Sequence, residues 1–260
     1  MRQKILSVLI PLLLAIALAA PAYASKSDTA KEQRWAEQVI GGLLDGDEVW
    51  LTDSGGHEFL GILTEGDADS GRAVILVHGI GVHPNWPEVI YPLRAGLLEQ
   101  NITTLSIQMP ILANAAEPAE YGVLFPEVPA RFNAALRLLQ GDGYQDIVIV
   151  AHSMGAAMTT YYLSQVDTGS IASAVLIGMG YSQAWSENID ALARVKIPVL
   201  DLYGSLDLET VLKSAPSRAA AGRKNGTGKY RQVETEGANH FFQEHEDALL
   251  RQVIEWLETL

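Results

Sequence analysis

The chain contains no cysteine. A thiolate nucleophile, a thiolate-held metal and a disulfide framework are therefore all excluded. Stability has to come from an apolar core, and a chain of 260 residues with 48% hydrophobic residues can bury one in a single domain. Basic residues are scarce as well: 18 Lys and Arg stand against 31 Asp and Glu, a formal net charge of −13. A surface of that sign repels nucleic acid and anionic lipid headgroups. It leaves neutral or cationic small molecules as partners, and it also keeps an exported protein soluble. There is no internal repeat and no low-complexity tract. After residue 24 no apolar run reaches the roughly 20 residues that a membrane-spanning helix needs.

The first 24 residues have a different character. Arg2 and Lys4 precede an apolar run from Ile5 to Ala20 that Pro11 interrupts, and Ala22-Tyr23-Ala24 closes it with small residues before Ser25. That layout predicts a secretory signal peptide over residues 1–24 and a periplasmic or secreted protein. Cleavage leaves 16 basic residues against 31 acidic ones, a formal charge of −15. With no cysteine at the new terminus, no lipid anchor or other stable membrane attachment is expected. A polar lead-in, loose or helical, is expected over residues 25–47, and one folded domain over 48–260.

From residue 73 onward, buried β-branched runs alternate with helical periodicity. Strands are expected at Ala73–Val77, Thr103–Ile107, Asp146–Ala151, Ala172–Ile177, Ile197–Tyr203 and Tyr230–Glu234. Helices are expected at Pro87–Gln100, at Val128–Gly141, at Gly155–Gln165 and at the C-terminus, with a weaker one at Glu209–Ala221 broken by Pro216. Strict alternation of this kind specifies an α/β fold with a mainly parallel sheet and helices on both faces. Two short candidates, Glu48–Thr52 and Glu58–Glu65, are placed to form an antiparallel edge.

Ser153 lies where the strand Asp146–Ala151 turns into a helix of small residues. A serine on so sharp a turn projects its hydroxyl beyond the sheet, and its neighbours at two positions on either side, Ala151 and Gly155, have to be small. The same position suits a plain helix N-cap. An attacking serine needs a base and an orienting carboxylate. Asp207 follows the strand that ends near Tyr203, and His240 follows the one that ends near Glu234. Glu209 and Asp201 are rival carboxylates, with Asp201 worse placed inside its strand. Among the other histidines, His152 adjoins the serine, but adjacent side chains at a tight turn diverge. The backbone N–H of Met154, at a helix start, and that of Ile80, in His78-Gly79-Ile80-Gly81, are the candidate donors for a developing oxyanion. His83, Trp86 and Met109 are candidates for substrate contact. His83 and Trp86 are equally placed to anchor a helix start. The loop Gln108–Pro126 could supply one wall of the site with Met109, Ile111, Leu112, Tyr121 and Phe125, or these residues could pack on the core.

Taken in order, H-G-I-G, A-H-S-M-G, G-S-L-D and N-H resemble the α/β-hydrolase superfamily over nearly all of the chain after the leader. The elbow departs from the usual pattern only in having alanine first, as certain small bacterial lipases and esterases do. The runs His83-Pro84-Asn85-Trp86-Pro87, Tyr91-Pro92-Leu93-Arg94 and Leu105-Ser106-Ile107-Gln108-Met109-Pro110 more specifically resemble a group of exported bacterial hydrolase-like proteins of unassigned function. The resemblance implies hydrolysis of an ester, thioester, amide or related acyl bond by Ser153, His240 and Asp207, without a metal or organic cofactor. A non-catalytic binding protein, or a peptidase or amidase, on the same scaffold is the alternative. The short segment Tyr181–Lys196 leaves room for little more than a turn and one helix, so the site is expected to be open or only partly covered.

Overall fold

Strands that read as unbroken apolar runs are buried on both faces, because the chain covers each face of the sheet with helices. The computed structural model of the chain describes residues 26–66, 71–182, 185, 187–225 and 228–260. The expected leader lies outside them. Eight strands run β1 Asp47–Thr52, β2 Glu58–Thr64, β3 Arg72–Val77, β4 Thr103–Ile107, β5 Asp146–His152, β6 Ile171–Ile177, β7 Val199–Leu206 and β8 Tyr230–Asn239. Seven helices accompany them among the described residues: α1 Thr29–Gly41, α2 Ile90–Glu99, α3 Val128–Gly141, α4 Met154–Leu163, α5 Glu187–Leu192, α6 Glu209–Gly222 and α7 Glu246–Leu257.

The strands form one sheet in the order β1-β2-β4-β3-β5-β6-β7-β8. β1 and β2 make the antiparallel edge, and β4 to β8 are parallel. Alternate residues of a strand face opposite ways, and the core divides accordingly. Ile75, Val77, Ile149 and Ala151 lie in the layer that includes Phe132 of α3 and Met158 of α4. Leu76, Val148 and Val150 lie in the layer that includes Leu93 of α2 and Val253 of α7.

The lead-in takes the helical one of its two expected forms, and it is packed: Asp28 caps α1, Ala36 and Val39 meet Leu60 and Ile62 of β2, and Glu32 is buried against Arg131. Two elements depart from expectation. α2 begins at Ile90 and not at Pro87, after a turn in which Val89 takes a φ of 62°. α6 continues through Pro216. The proline lacks an N–H to donate to Leu212 O, and side chains brace the turn before it: Ser214 Oγ reaches Thr210 O at 2.7 Å, and Arg218 Nη1 reaches Val211 O at 2.8 Å.

Candidate active site

The order of the sheet dictates where a site forms. From β3 the chain moves outward to β4 and then returns to β5 on the other side of β3, so the loops after β3 and β5 diverge at the strands' C-terminal ends. Val77 and Ala151 are paired in register, which sets the loop His78–Gly81 beside Ser153. A Cβ added at Gly79 would lie 3.2 Å from Ser153 Cβ, and one at Gly155 would lie 2.4 Å from His78 O. These contacts are why the elbow and its neighbouring loop are built from glycine. Ser153 has φ 56° and ψ −119°, a conformation that L-residues rarely adopt. It occupies the N-cap position of α4, yet its side chain makes no capping bond. Instead Ser153 Oγ lies 2.9 Å from His240 Nε2.

β7 and β8 deliver the other two side chains. Gly204 pairs with Thr235 and Leu206 with Asn239, so β8 advances four residues where β7 advances two. The bulge sets Asp207 and His240, the next residue on each strand, side by side. His240 Nδ1 lies 2.6 Å from Asp207 Oδ1, and the carboxylate also accepts the N–H of Leu208 at 2.7 Å. Gly204 is forced by this approach, since a Cβ there would fall 2.0 Å from Ala238 O. Gly178, at φ +58°, lets the imidazole pack against the end of β6, with an added Cβ only 3.1 Å from the ring. The rival carboxylates are engaged elsewhere. Asp201 is fully buried against Arg218, at 2.9 Å, and Glu209 pairs with Lys213 on the surface of α6.

Two further histidines hold this arrangement. His78 donates Nδ1–H to Gly79 O at 2.7 Å, and its Nε2 accepts the N–H of Met109 at 2.9 Å. Burial pushes its pKa down to about 4, which keeps the ring neutral and able to accept. His152 does not diverge idly from the serine. Its buried ring lies 4.8 Å from that of His240 and its Nε2 is 3.0 Å from His240 O. Burial, aided by the neighbouring His240, depresses its pKa to about 3.

Ser153 and His240 open into a cleft of about 410 Å³ that Ile80 and Met154 also line. Met154 is the first residue of α4, where an N–H has no intrahelical acceptor. Pro118 and Ala119, from the 3-10 segment Pro118–Glu127, and Leu208 and Val211, at the start of α6, form further walls. Trp185 covers part of the cleft, with its indole N–H donated to Pro118 O at 3.2 Å and its ring stacked on Phe125. Cover over the serine is thus partial, and comes from the segment before α5 together with the 3-10 segment. A wider depression of about 800 Å³ between α5 and α6 shares Tyr181 with this cleft but reaches neither Ser153 nor His240. Among the described residues, no group of three or more His, Asp or Glu side chains is placed to hold a metal ion.

Three expected substrate contacts do not line the cleft. Met109 is buried in the core with Tyr121 and Phe125, and it serves the site through its backbone bond to His78. The His83 ring packs between Trp35 and Trp86, at 4.8 and 5.4 Å, and burial lowers its pKa to about 4. Trp86 packs on the α2–α7 layer and donates to Glu88. This run holds the chain in shape: Asn85 Oδ1 accepts from the fully buried Arg94 at 2.8 Å. The loop over residues 108–126, expected either to wall the site or to pack on the core, does supply a wall, through Glu117, Pro118 and Ala119. Trp185, opposite it, carries no local signal in the sequence, because distant segments bring the two together.

A family model described as a protein of unknown function, DUF3530, matches residues 3–127 and 124–259. No curated protein matches the chain. Several solved structures share the architecture. The Pyrococcus furiosus esterase Pf2001 superposes with a TM-score of 0.66 at 16% identity, over 83% of this chain and 90% of that one. The dienelactone hydrolase from Anabaena variabilis gives 0.67 at 18% identity, over 83% and 98%. Est1E from Butyrivibrio proteoclasticus gives 0.66 at 13% identity, over 83% and 98%.

Proposed function

The chain belongs to the DUF3530 family of proteins of unknown function and has the α/β-hydrolase fold, and on that footing we propose that it is an exported serine hydrolase acting on a carboxylic ester or similar acyl substrate. One observation carries the reading: the unbroken hydrogen-bonded line from Ser153 Oγ through His240 to Asp207, at 2.9 and 2.6 Å. In this reading Ser153 Oγ attacks the substrate carbonyl carbon while His240 Nε2 takes the hydroxyl proton. Asp207 fixes the tautomer by accepting Nδ1–H and stabilises the imidazolium. The N–H groups of Met154 and Ile80 hold the carbonyl oxygen as it becomes an oxyanion. Collapse breaks the bond to the leaving group, which takes the proton from His240. A water molecule then repeats the sequence on the acyl-serine and frees the acid. The names of the esterases and the dienelactone hydrolase that share the fold are consistent with acyl chemistry. Export rests on the composition of residues 1–24, with the small acyl substrate met outside the cytoplasm.

A fluorophosphonate probe tests the reading. The wild type is expected to label and Ser153→Ala is not. A folded wild-type protein that stays unlabelled would favour a non-catalytic binding role. p-Nitrophenyl esters compared with amino-acid anilides separate an esterase from a peptidase or amidase, and the N-terminal residue of the exported protein, expected to be Ser25, tests cleavage of the leader.

A further inference from the structure

Eight large apolar side chains are exposed among the described residues; two of them line the cleft and two more adjoin Asp207 and His240. Leu206 and Leu208 flank Asp207 and are 67% and 52% exposed. Phe241 follows His240, with its ring 5.1 Å from the imidazole, and is 37% exposed. Tyr181, 38% exposed, lines the cleft with Leu208, and Leu206 pairs on the sheet with Asn239, two residues before Phe241. Isolated exposed leucines need no explanation, but a cluster beside one cleft marks a surface that meets something apolar. We infer that this cluster is a docking face for an uncharged or zwitterionic lipid surface, and that the substrate is an ester dissolved in it.

The inference rests on the hydrolase reading, whose acyl substrate it specifies. Two features select the occupant. Tyr181 and Leu208 line the cleft that reaches Ser153, so a folded partner seated on them would cover the site, whereas a fluid lipid layer can pass an ester chain into it. The chain's net charge of −13 repels an anionic surface, and Glu117 at the cleft adds to that locally. Attraction then has to come from burial of the apolar cluster, and the surface has to be neutral overall.

Co-sedimentation of leader-free Ser153→Ala protein with vesicles tests the surface without hydrolysis. Binding to phosphatidylcholine vesicles is expected, with weaker binding to phosphatidylglycerol vesicles. Adding Leu206→Ser and Phe241→Ser should weaken partitioning at least about tenfold, since each removes buried apolar area. Leu206→Ser alone in the active protein should leave turnover of a water-soluble short ester unchanged and slow turnover of a vesicle-dispersed long one. Failure to bind phosphatidylcholine, or equal binding by the doubly substituted protein, overturns the inference. So does a dimer that Leu206→Ser dissociates, which would make a second copy the occupant. A protein that labels with fluorophosphonate but ignores vesicles loses this inference and keeps the hydrolase reading. One that binds vesicles but does not label loses the hydrolase reading, and with it the ester as substrate, and keeps only the lipid-docking face.

Discussion

The ring of His152 is tied to the main-chain carbonyl of His240, 3.0 Å away and 88 residues later in the sequence. Because burial depresses the His152 pKa to about 3, the ring is neutral with one N–H, and that N–H is donated to the carbonyl. The bond fixes the backbone from which the imidazole of His240 reaches Ser153. His152→Phe keeps a ring in the site but leaves the carbonyl without a donor, at a cost of about 1 kcal/mol or more. Steady-state kinetics on a soluble ester should show kcat reduced roughly fivefold to tenfold with KM little changed. His152→Gln, which can still donate, should recover part of the loss. Equal kcat for both variants and the wild type would mean that the bond does not position His240.

Acid should destabilise the fold through three of its histidines. His78, His83 and His152 have pKa values of about 4, 4 and 3 in the folded protein, against an ordinary value of 6.5. Between those values the unfolded chain binds more protons than the native one, so stability rises with pH across the window. Stability is complete above about pH 6.5 and falls as the medium is acidified toward pH 4. Urea midpoints should change little between pH 8 and 7 and then drop steadily to pH 5, with a slope approaching the uptake of about three protons. His83→Asn should make that slope shallower. A midpoint independent of pH across this range would contradict the buried neutral state of these rings.

How much of this was legible in the sequence follows from what each feature depends on. The parallel sheet was, because strands buried on both faces have to be apolar throughout, as Val74 to Val77 and Ile147 to Ala151 are. So was the order of Ser153, Asp207 and His240, each in a loop that follows a strand. The bulge that carries β8 on to Asn239 was hidden, because the charged residues Glu234 and Glu236 resemble a strand's end when they in fact lie on an exposed sheet edge. The loop over residues 108–126 was legible as a wall of the cleft, but which of its residues face the serine, and that Trp185 meets them, was hidden for a different reason. Pro118 and Trp185 meet only after residues 67 apart in sequence are folded together, and periodicity reports nothing at that distance. His83 and Trp86 look like a rim because aromatic residues near a glycine loop often are one. Here the buried Arg94 needs Asn85, and the run bends to supply it.

The helix α1 is held by a buried charge pair whose removal should be costly. Glu32 Oε1 and Oε2 both lie 3.0 Å from Arg131 Nη2, and His57 Nε2 adds a contact at 2.9 Å. Burial pushes the Glu32 carboxyl up, but the hydrogen bond from His57 and the charge of Arg131 outweigh it and hold the pKa below its ordinary value. Arg131 has no other hydrogen-bond partner at Nε or Nη1, and its guanidinium otherwise rests over Phe59. Glu32→Gln leaves that cation buried without a counter-charge and should cost about 3 kcal/mol. Combining it with Arg131→Met should cost less than the sum of the single changes, because the stranded charge is gone. Urea unfolding of the four proteins measures the coupling. Strictly additive changes would mean that the pair does not act as one.

Two glycine-to-alanine substitutions separate the site's geometric demands from general effects on the chain. At Gly204 a methyl would fall 2.0 Å from Ala238 O, between the two strands that bring Asp207 to His240. The backbone has to part to admit it, at about 3 kcal/mol or more, and parting there lengthens the contact that orients His240. Gly204→Ala should therefore lower the urea midpoint and reduce fluorophosphonate labelling even at temperatures where the protein stays folded. At Gly41, the last residue of α1, a methyl meets no heavy atom within 4 Å. Gly41→Ala only restricts the unfolded chain and favours the helix, so it should raise stability by about 0.5 kcal/mol and leave labelling unchanged. If Gly204→Ala were tolerated as well as Gly41→Ala, the close approach of β7 and β8 would not be what sets the distance between Asp207 and His240.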